Sequence, residues 1–211
     1  MGINLIPKIK KEAKRVLTQM NGLKYLAQVN EKLGELDLIS FADFGTLLGI
    51  VRENGLLKND LDVDVGVLAL SDEVFAKVEQ TLSGMGFHKH KEITIRGAIK
   101  KQAYRKHHVT VDIEYYFPDA DSALMYCYLF YIPPDSTDYD HRKCVIKKCP
   151  RVTETEKVSI HRQTVLIPRN PEKILEYKYG TNWKIPDKGW VYWEGPNTYP
   201  TDEIGDKQQL S

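Results

Sequence analysis

The sequence predicts a mixed α+β fold, and three observations lead to it. Two stretches, 61–67 and 107–117, alternate apolar and polar residues with a period of two, as half-buried strands do. Three others, 3–33, 71–87 and 170–180, repeat apolar residues every three or four positions, as amphipathic helices do. Helices and strands follow one another without regular strand–helix–strand units, so a central mixed sheet flanked by helices is expected rather than a wholly parallel one.

In chain order, Ile6, Ile9, Ala13, Val16, Met20, Leu23 and Ala27 set out a first helix, in one piece or broken near Asn21-Gly22. Lys8, Lys10, Lys11, Lys14 and Arg15 occupy much of its remaining surface. It is expected to pack on the domain with its basic side in water; weak association with an anionic membrane surface is the lesser expectation. Residues 37–44, DLISFADF, read as a strand, and 46–53 as a short helix entered through Gly45-Thr46. LDVDVGVL is the next strand and SDEVFAKVEQTLSGMGF a helix capped by Ser71 and ended by glycines, with several β-rich runs from about 87 to 167. NPEKILEYKYG, 170–180, is a helix with Pro171 in its first turn and Gly180 at its end. After about Gly195 the chain turns polar without apolar periodicity, and fraying is expected. The divisions are therefore 1–36, a helical segment packed on the core; 37–186, the main domain; and 187–211, a partly disordered tail.

A chain of 211 residues with 42% hydrophobic content can bury a core of its own. Thirty basic residues stand against 29 acidic ones, so no global field draws the protein onto nucleic acid, and no nucleic-acid partner is expected. Three cysteines, an odd count, argue against a disulfide framework and for a reducing compartment; the expected location is the cytoplasm, including the inner face of the membrane if the first helix touches it. Cys144 and Cys149 with His88 or His141 do not match the usual zinc-knuckle spacing.

The informative stretch is residues 60–67. Leu61, Val63, Val65 and Val67 share one face of the strand, while Asp60, Asp62 and Asp64 share the other. Same-face carboxylates lie roughly 6.5 Å apart and repel by about 2.5 kcal/mol per pair at an effective dielectric of 20, and aspartate is depleted in strands. A solvated face is the plain explanation; a divalent cation with oxygen ligands removes both costs. An EF-hand loop is excluded, since Val65 and Ser71 stand where it needs Gly and Glu.

HHVTVDIEYYF, 107–117, repeats the design, with Val109, Val111 and Ile113 on one face and His108, Thr110, Asp112 and Glu114 on the other. If the two strands are neighbours, Asp112 completes a three-carboxylate site for one or two metal ions, with His108 and Asp60 beside it. Gly45 and Thr46 open a helix directly after a strand, and such an N-terminus suits phosphate; Thr46 also suits an N-cap. Arg52 can clamp phosphate or pair with a nearby acid such as Glu53. Lys100, Lys101, Arg105 and Lys106 read as a solvated hairpin more readily than as phosphate ligands. Trp183, Trp190, Tyr192 and Trp193 close over a core or stack on a sugar or base.

GTLLGIVRENGLLKNDLDVDVGV resembles the signature of the LicD/fukutin family of phosphotransferases, a Gly-Ser/Thr-Leu-Leu-Gly-x-x-Arg segment followed by acids ending in Asp-hydrophobic-Asp. HHVTVDIEYYF is similar to the family's His-x-x-hydrophobic-Asp strand, and IPRNPEKILEYKYGTNW to its Tyr-Gly-x-x-Trp ending. The resemblance runs from about residue 40 to 186. It departs at Leu61, where many members carry another acid, and at Asn59, where they carry an aromatic.

This resemblance implies a nucleotidyltransferase-type fold and transfer of a phosphate-linked group, such as phosphocholine or a polyol phosphate, from a CDP-activated donor to a sugar hydroxyl with release of CMP. It implies Asp62, Asp64 and Asp112 as ligands of magnesium or manganese, and Gly45, Thr46 and Arg52 around the donor's phosphates. Three alternatives use the same acids: a nucleotidyltransferase that keeps the nucleotide on the product, a glycosyltransferase with its own Asp-x-Asp, and a metal-stabilised interaction module without activity.

Overall fold

Leu5–Gly34 forms one unbroken helix, α1, in the computed structural model, which describes residues 5–210 and side chains from residue 9 onward. Asn21-Gly22 does not interrupt it. A Cβ at Gly22 would stand 2.6 Å from Leu56 Cδ1 and 2.9 Å from Val63 Cγ2, so the glycine lets the helix lie close on the sheet. The positions of residues 1–4, and the Ile6 and Lys8 side chains, lie outside the described residues.

The order that follows is β1 (Ser40–Ala42), α2 (Phe44–Glu53), β2 (Asp62–Leu68), α3 (Glu73–Gly84), β3 (His88–Ile95), β4 (Ala98–Lys106) and β5 (Val109–Pro118). Then come β6 (Leu124–Tyr131), β7 (His141–Pro150), β8 (Thr155–Ile160), β9 (Gln163–Pro168), α4 (Pro171–Tyr179) and β10 (Thr198–Gln209). The fold is mixed α+β. Its main sheet runs β1-β2-β5-β4-β3-β10-β7-β6, and β6 pairs back onto β5, so the strands from β5 round to β6 close into a ring with β2 and β1 extending from it. β2 and β5 are parallel and the other pairs antiparallel, which makes the sheet mixed. β8 and β9 form a separate hairpin against α1 and β1.

The apolar alternation does what its period requires. Val63, Val65 and Val67 of β2 and Val109, Val111 and Ile113 of β5 have no solvent exposure and join one core with Leu26, Val29 and Leu33 of α1. Each such side chain contributes roughly 1.5–3 kcal/mol on burial. The opposite faces of the same strands are left to the acids.

Several expectations are corrected by the fold. The tail does not fray: β10 is inserted between β3 and β7 and hydrogen-bonds to both, with a bulge between Pro200 and Ile204. Its polar residues conceal a strand whose hold is its two backbone ladders. His108 is not on the Asp112 face; His107 and His108, at φ 46° and 66°, make the two-residue turn between β4 and β5, and His108 is exposed. The cap of α3 is Asp72 rather than Ser71, and α2 begins at Phe44 after Asp43 rather than at Thr46. A further correction, to the basic hairpin, belongs to the site below.

Candidate active site

The parallel pair β2–β5 sets Asp64 beside Asp112 and Asp62 beside Thr110, with Glu114 next along β5 opposite Gly66. Lateral partners in a sheet point to the same side, so these carboxylates share one face. The β1–α2 corner locks that face in place. Asp43 N–H donates to the Asp64 carbonyl at 3.0 Å, Asp64 N–H donates to Thr46 Oγ1 at 2.8 Å, and Gly45 N–H donates to Asp64 Oδ2 at 3.2 Å. Thr46 is fully buried and outside the cleft lining, so its role is to hold Asp64 rather than to cradle phosphate, which corrects the reading of that residue. Gly45 does line the cleft, and a Cβ there would meet Asp60 Oδ2 at 3.1 Å.

Beneath the corner is a buried polar knot absent from the sequence reading. Tyr116 OH donates to Asp43 Oδ2 at 2.6 Å, and Lys178 of α4 pairs with Asp43 Oδ1 while its Nζ lies 3.8 Å from the Phe44 ring centroid. Phe44 itself takes a left-handed backbone, φ 37°, a costly conformation for a bulky residue that the knot holds. The ties run from α4 through the corner to Asp64, which explains why sequence blocks over a hundred residues apart converge here.

The carboxylates open into a cleft of about 1090 Å³. Asp60, Asp62, Asp64, Asp112 and Glu114 line it with Lys91 beside them, and Arg142, Lys207, Tyr128, Phe130, Trp183, Trp190 and Tyr192 complete the lining. Trp193 lies outside, stacked on Tyr131 at 4.9 Å. Arg52 faces the cleft, bonded to Glu53 at 2.9 Å and the Trp183 carbonyl at 3.3 Å, with its Nε buried and unpartnered.

Lys101 overturns the solvated-hairpin reading of its run. It projects from β4 opposite Glu114, mostly buried, with Nζ 2.8 Å from Asp112 Oδ2 and in contact with Glu114 Oε1; Lys91 reaches the same Asp112 oxygen at 3.6 Å. Lys100 points the other way, over the Phe117 ring.

The electrostatics follow from this crowding. Burial, then Asp62 and Glu53, push the Asp60 carboxyl up to about 7. Burial and Asp112 raise Asp62, and burial with Asp62 raises Asp64 well above the usual carboxylate range. Burial opposes ionisation of Asp112 too, but Lys101 and Lys91 hold it down at about 2. Burial raises Glu114, and although burial disfavours its charge, Lys101 is raised well above the ordinary lysine value by Asp112 and Glu114. More negative charge is gathered than the lysines neutralise.

A divalent ion fits this donor set. Asp64, Asp112 and Glu114 each offer a ligand oxygen within 4.8 Å of one another, and Glu114 Oε2 is buried without a partner. Hard carboxylate oxygens suit magnesium or manganese. Sequence reasoning placed Glu114 on the right face without assigning it a role. The signal was its two-residue spacing from Asp112, which keeps it on that face. Asp62 lines the cleft beside the three. Among the described residues, Cys144 and Cys149 belong to no such cluster.

Residues 38–170 match the family model described as LicD/FKTN/FKRP, nucleotidyltransferase domain. No curated protein matches the chain. The chain is similar to a crystal structure of ANT(2")-Ia in complex with adenylyl-2"-tobramycin, at 15% identity over 81% of this chain and 82% of that one, TM-score 0.46. It is also similar to a solution structure of the antibiotic-resistance factor ANT(2'')-Ia, at 14% identity over 82% of this chain and 78% of that one, TM-score 0.47.

Proposed function

Because the chain belongs to the LicD/FKTN/FKRP nucleotidyltransferase-domain family, we propose that it is a metal-dependent phosphotransferase that moves phosphocholine or a polyol phosphate from a CDP-linked donor to a hydroxyl of a cell-surface glycan or its precursor. One observation carries the reading beyond membership: the parallel register that sets Asp64 against Asp112, with Glu114 within ligand reach of both.

Asp62, Asp64, Asp112 and Glu114 would hold magnesium or manganese, whose charge would offset that of the donor's diphosphate. Arg52, which lines the cleft, would bind a phosphate oxygen through its planar fork. Gly45 leaves room for the donor beside Asp60. The acceptor hydroxyl would lose its proton to the carboxylate cluster and attack the distal phosphorus; the phosphorus–oxygen bond to CMP breaks, and CMP leaves. The aromatic walls suit a sugar or base by stacking. The protein's part is placement and charge, as is usual in phosphoryl transfer.

CMP release from CDP-choline, CDP-ribitol and CDP-glycerol, measured with magnesium, with a chelator, and with Asp62→Asn, tests the reading. Release should fall roughly a hundredfold or more without metal or Asp62. The family model's own description favours a second reading, nucleotidyl transfer, which would leave CMP attached to the acceptor and release the head-group phosphate instead.

A membrane-face location has independent support. Among the described residues no helix is long and apolar enough to cross a membrane, but Ile9, Val16 and Met20 of α1 form an exposed apolar stripe, 64%, 45% and 72% accessible, on a helix whose Lys10 and Lys11 are also exposed. That pairing suits an anionic lipid surface.

A further inference from the structure

Lys101 contacts two of the three carboxylates that could hold a metal ion, Asp112 and Glu114. Three ligand atoms within 4.8 Å of one another surround a common centre no more than about 2.8 Å from each, and Lys101 Nζ is 2.8 Å from Asp112 Oδ2 while touching Glu114 Oε1. An ammonium and a divalent cation compete for those two carboxylates.

Lys101 is rooted in β4, so its ammonium can leave only along the cleft. Lateral pairing sets out what it meets: Glu114 is opposite Lys101, Lys101 opposite Ile93, and Ile93 opposite Lys207. Beyond Lys101 this row holds an apolar residue and then Lys207, and the cleft lining adds Arg142; neither cation makes an ion pair among the described residues, whereas Lys91 stays beside Asp112. The remaining acid of the lining, Asp187, is exposed and accepts the Gly189 N–H. A displaced Lys101 would join Lys207 and Arg142, two like charges without a protein ion pair, in a half-buried site, which is costly in low dielectric.

We infer that Lys101 is the resident counter-ion of the carboxylate site and, when a divalent ion takes its place, becomes a contact of the donor's diphosphate, so that metal and diphosphate bind cooperatively. This rests on the phosphotransferase reading and deepens it. It gives Lys207 and Arg142 a use, since they gather the polyanion that receives Lys101.

The test is Mn²⁺ titration of the full chain, with free Mn²⁺ read by electron paramagnetic resonance, in the absence and presence of CDP. Wild type is compared with Lys101→Met and with Lys101→Gln, whose amide still donates to the carboxylates if the Met variant does not fold. Wild type should bind Mn²⁺ weakly alone and about tenfold more tightly with CDP, within the range usual for coupled sites. Either variant should bind Mn²⁺ more tightly than wild type without CDP and lose most of the coupling. Equal Mn²⁺ affinity in wild type and variant without CDP overturns the role of Lys101 and leaves the phosphotransferase reading standing. No Mn²⁺ binding to wild type even with CDP removes both.

Discussion

At Thr46 a hydroxyl without solvent access takes the Asp64 N–H. Thr46→Val keeps the shape and orphans that donor, so urea denaturation should show a loss of about 1–3 kcal/mol, accompanied by weaker Mn²⁺ binding. Thr46→Ser, which keeps the hydroxyl, should restore most of the metal affinity. Asp60 supplies a pH prediction. Its carboxyl is pushed from an ordinary 3.8 to about 7, so between those values the folded chain holds a proton that the unfolded chain has lost. Stability from such a group is present at low pH and declines as pH rises through 7. Asp62, Asp64 and Glu114 are raised and act with the same sign. Asp112, held at about 2, contributes stability that is lost only on strong acidification, and His90, lowered to about 4, is neutral in both states above its ordinary value. The chelator-treated protein should therefore melt at a lower temperature at pH 8 than at pH 6.5, and saturating magnesium should narrow the difference. A melting temperature that rises over this interval would contradict the charge distribution described.

Among the elements, β10 was the least legible. TYPTDEIGDKQQ carries a proline, few β-formers and a single buried residue, Gly205, so neither propensity nor periodicity marks a strand. What holds it is pairing with β3 on one side and β7 on the other, and those partners are over fifty residues away in sequence. Removing residues 198–211 should unpair both neighbours and open the ring, giving a chain that is insoluble or lacks a cooperative thermal transition by circular dichroism. α1 was legible as a helix, but whether Gly22 breaks it stays open in the sequence, because a glycine's local effect is visible there and its contact with Leu56 and Val63 is not. The exposed stripe of this helix yields its own test. Co-sedimentation with vesicles containing anionic lipid should fall when Ile9 and Met20 are both changed to Ser, and should also fall as salt is raised. Binding indifferent to both would remove the membrane-face proposal.

For the whole molecule, the face on which each aspartate lies was legible in the sequence, because a strand's side chains alternate strictly and the valines between the acids have to reach the core. Periodicity equally announced α1 and α4 and a mixed sheet, and the motif blocks announced the family. Asp64 beside Asp112 is a different matter, because register between two strands is decided by which pairing buries both apolar faces at once. The same holds for Lys101, whose hairpin looked solvated until β4 was set between β5 and β3, and for the Asp43–Tyr116–Lys178 knot, whose members lie up to 135 residues apart. Local sequence determined what each segment could be and which side of it carried charge, since those follow from backbone geometry a few residues long. Tertiary packing alone decided which charges meet, because the energy of a buried carboxylate depends on partners and desolvation that exist only once distant strands are side by side.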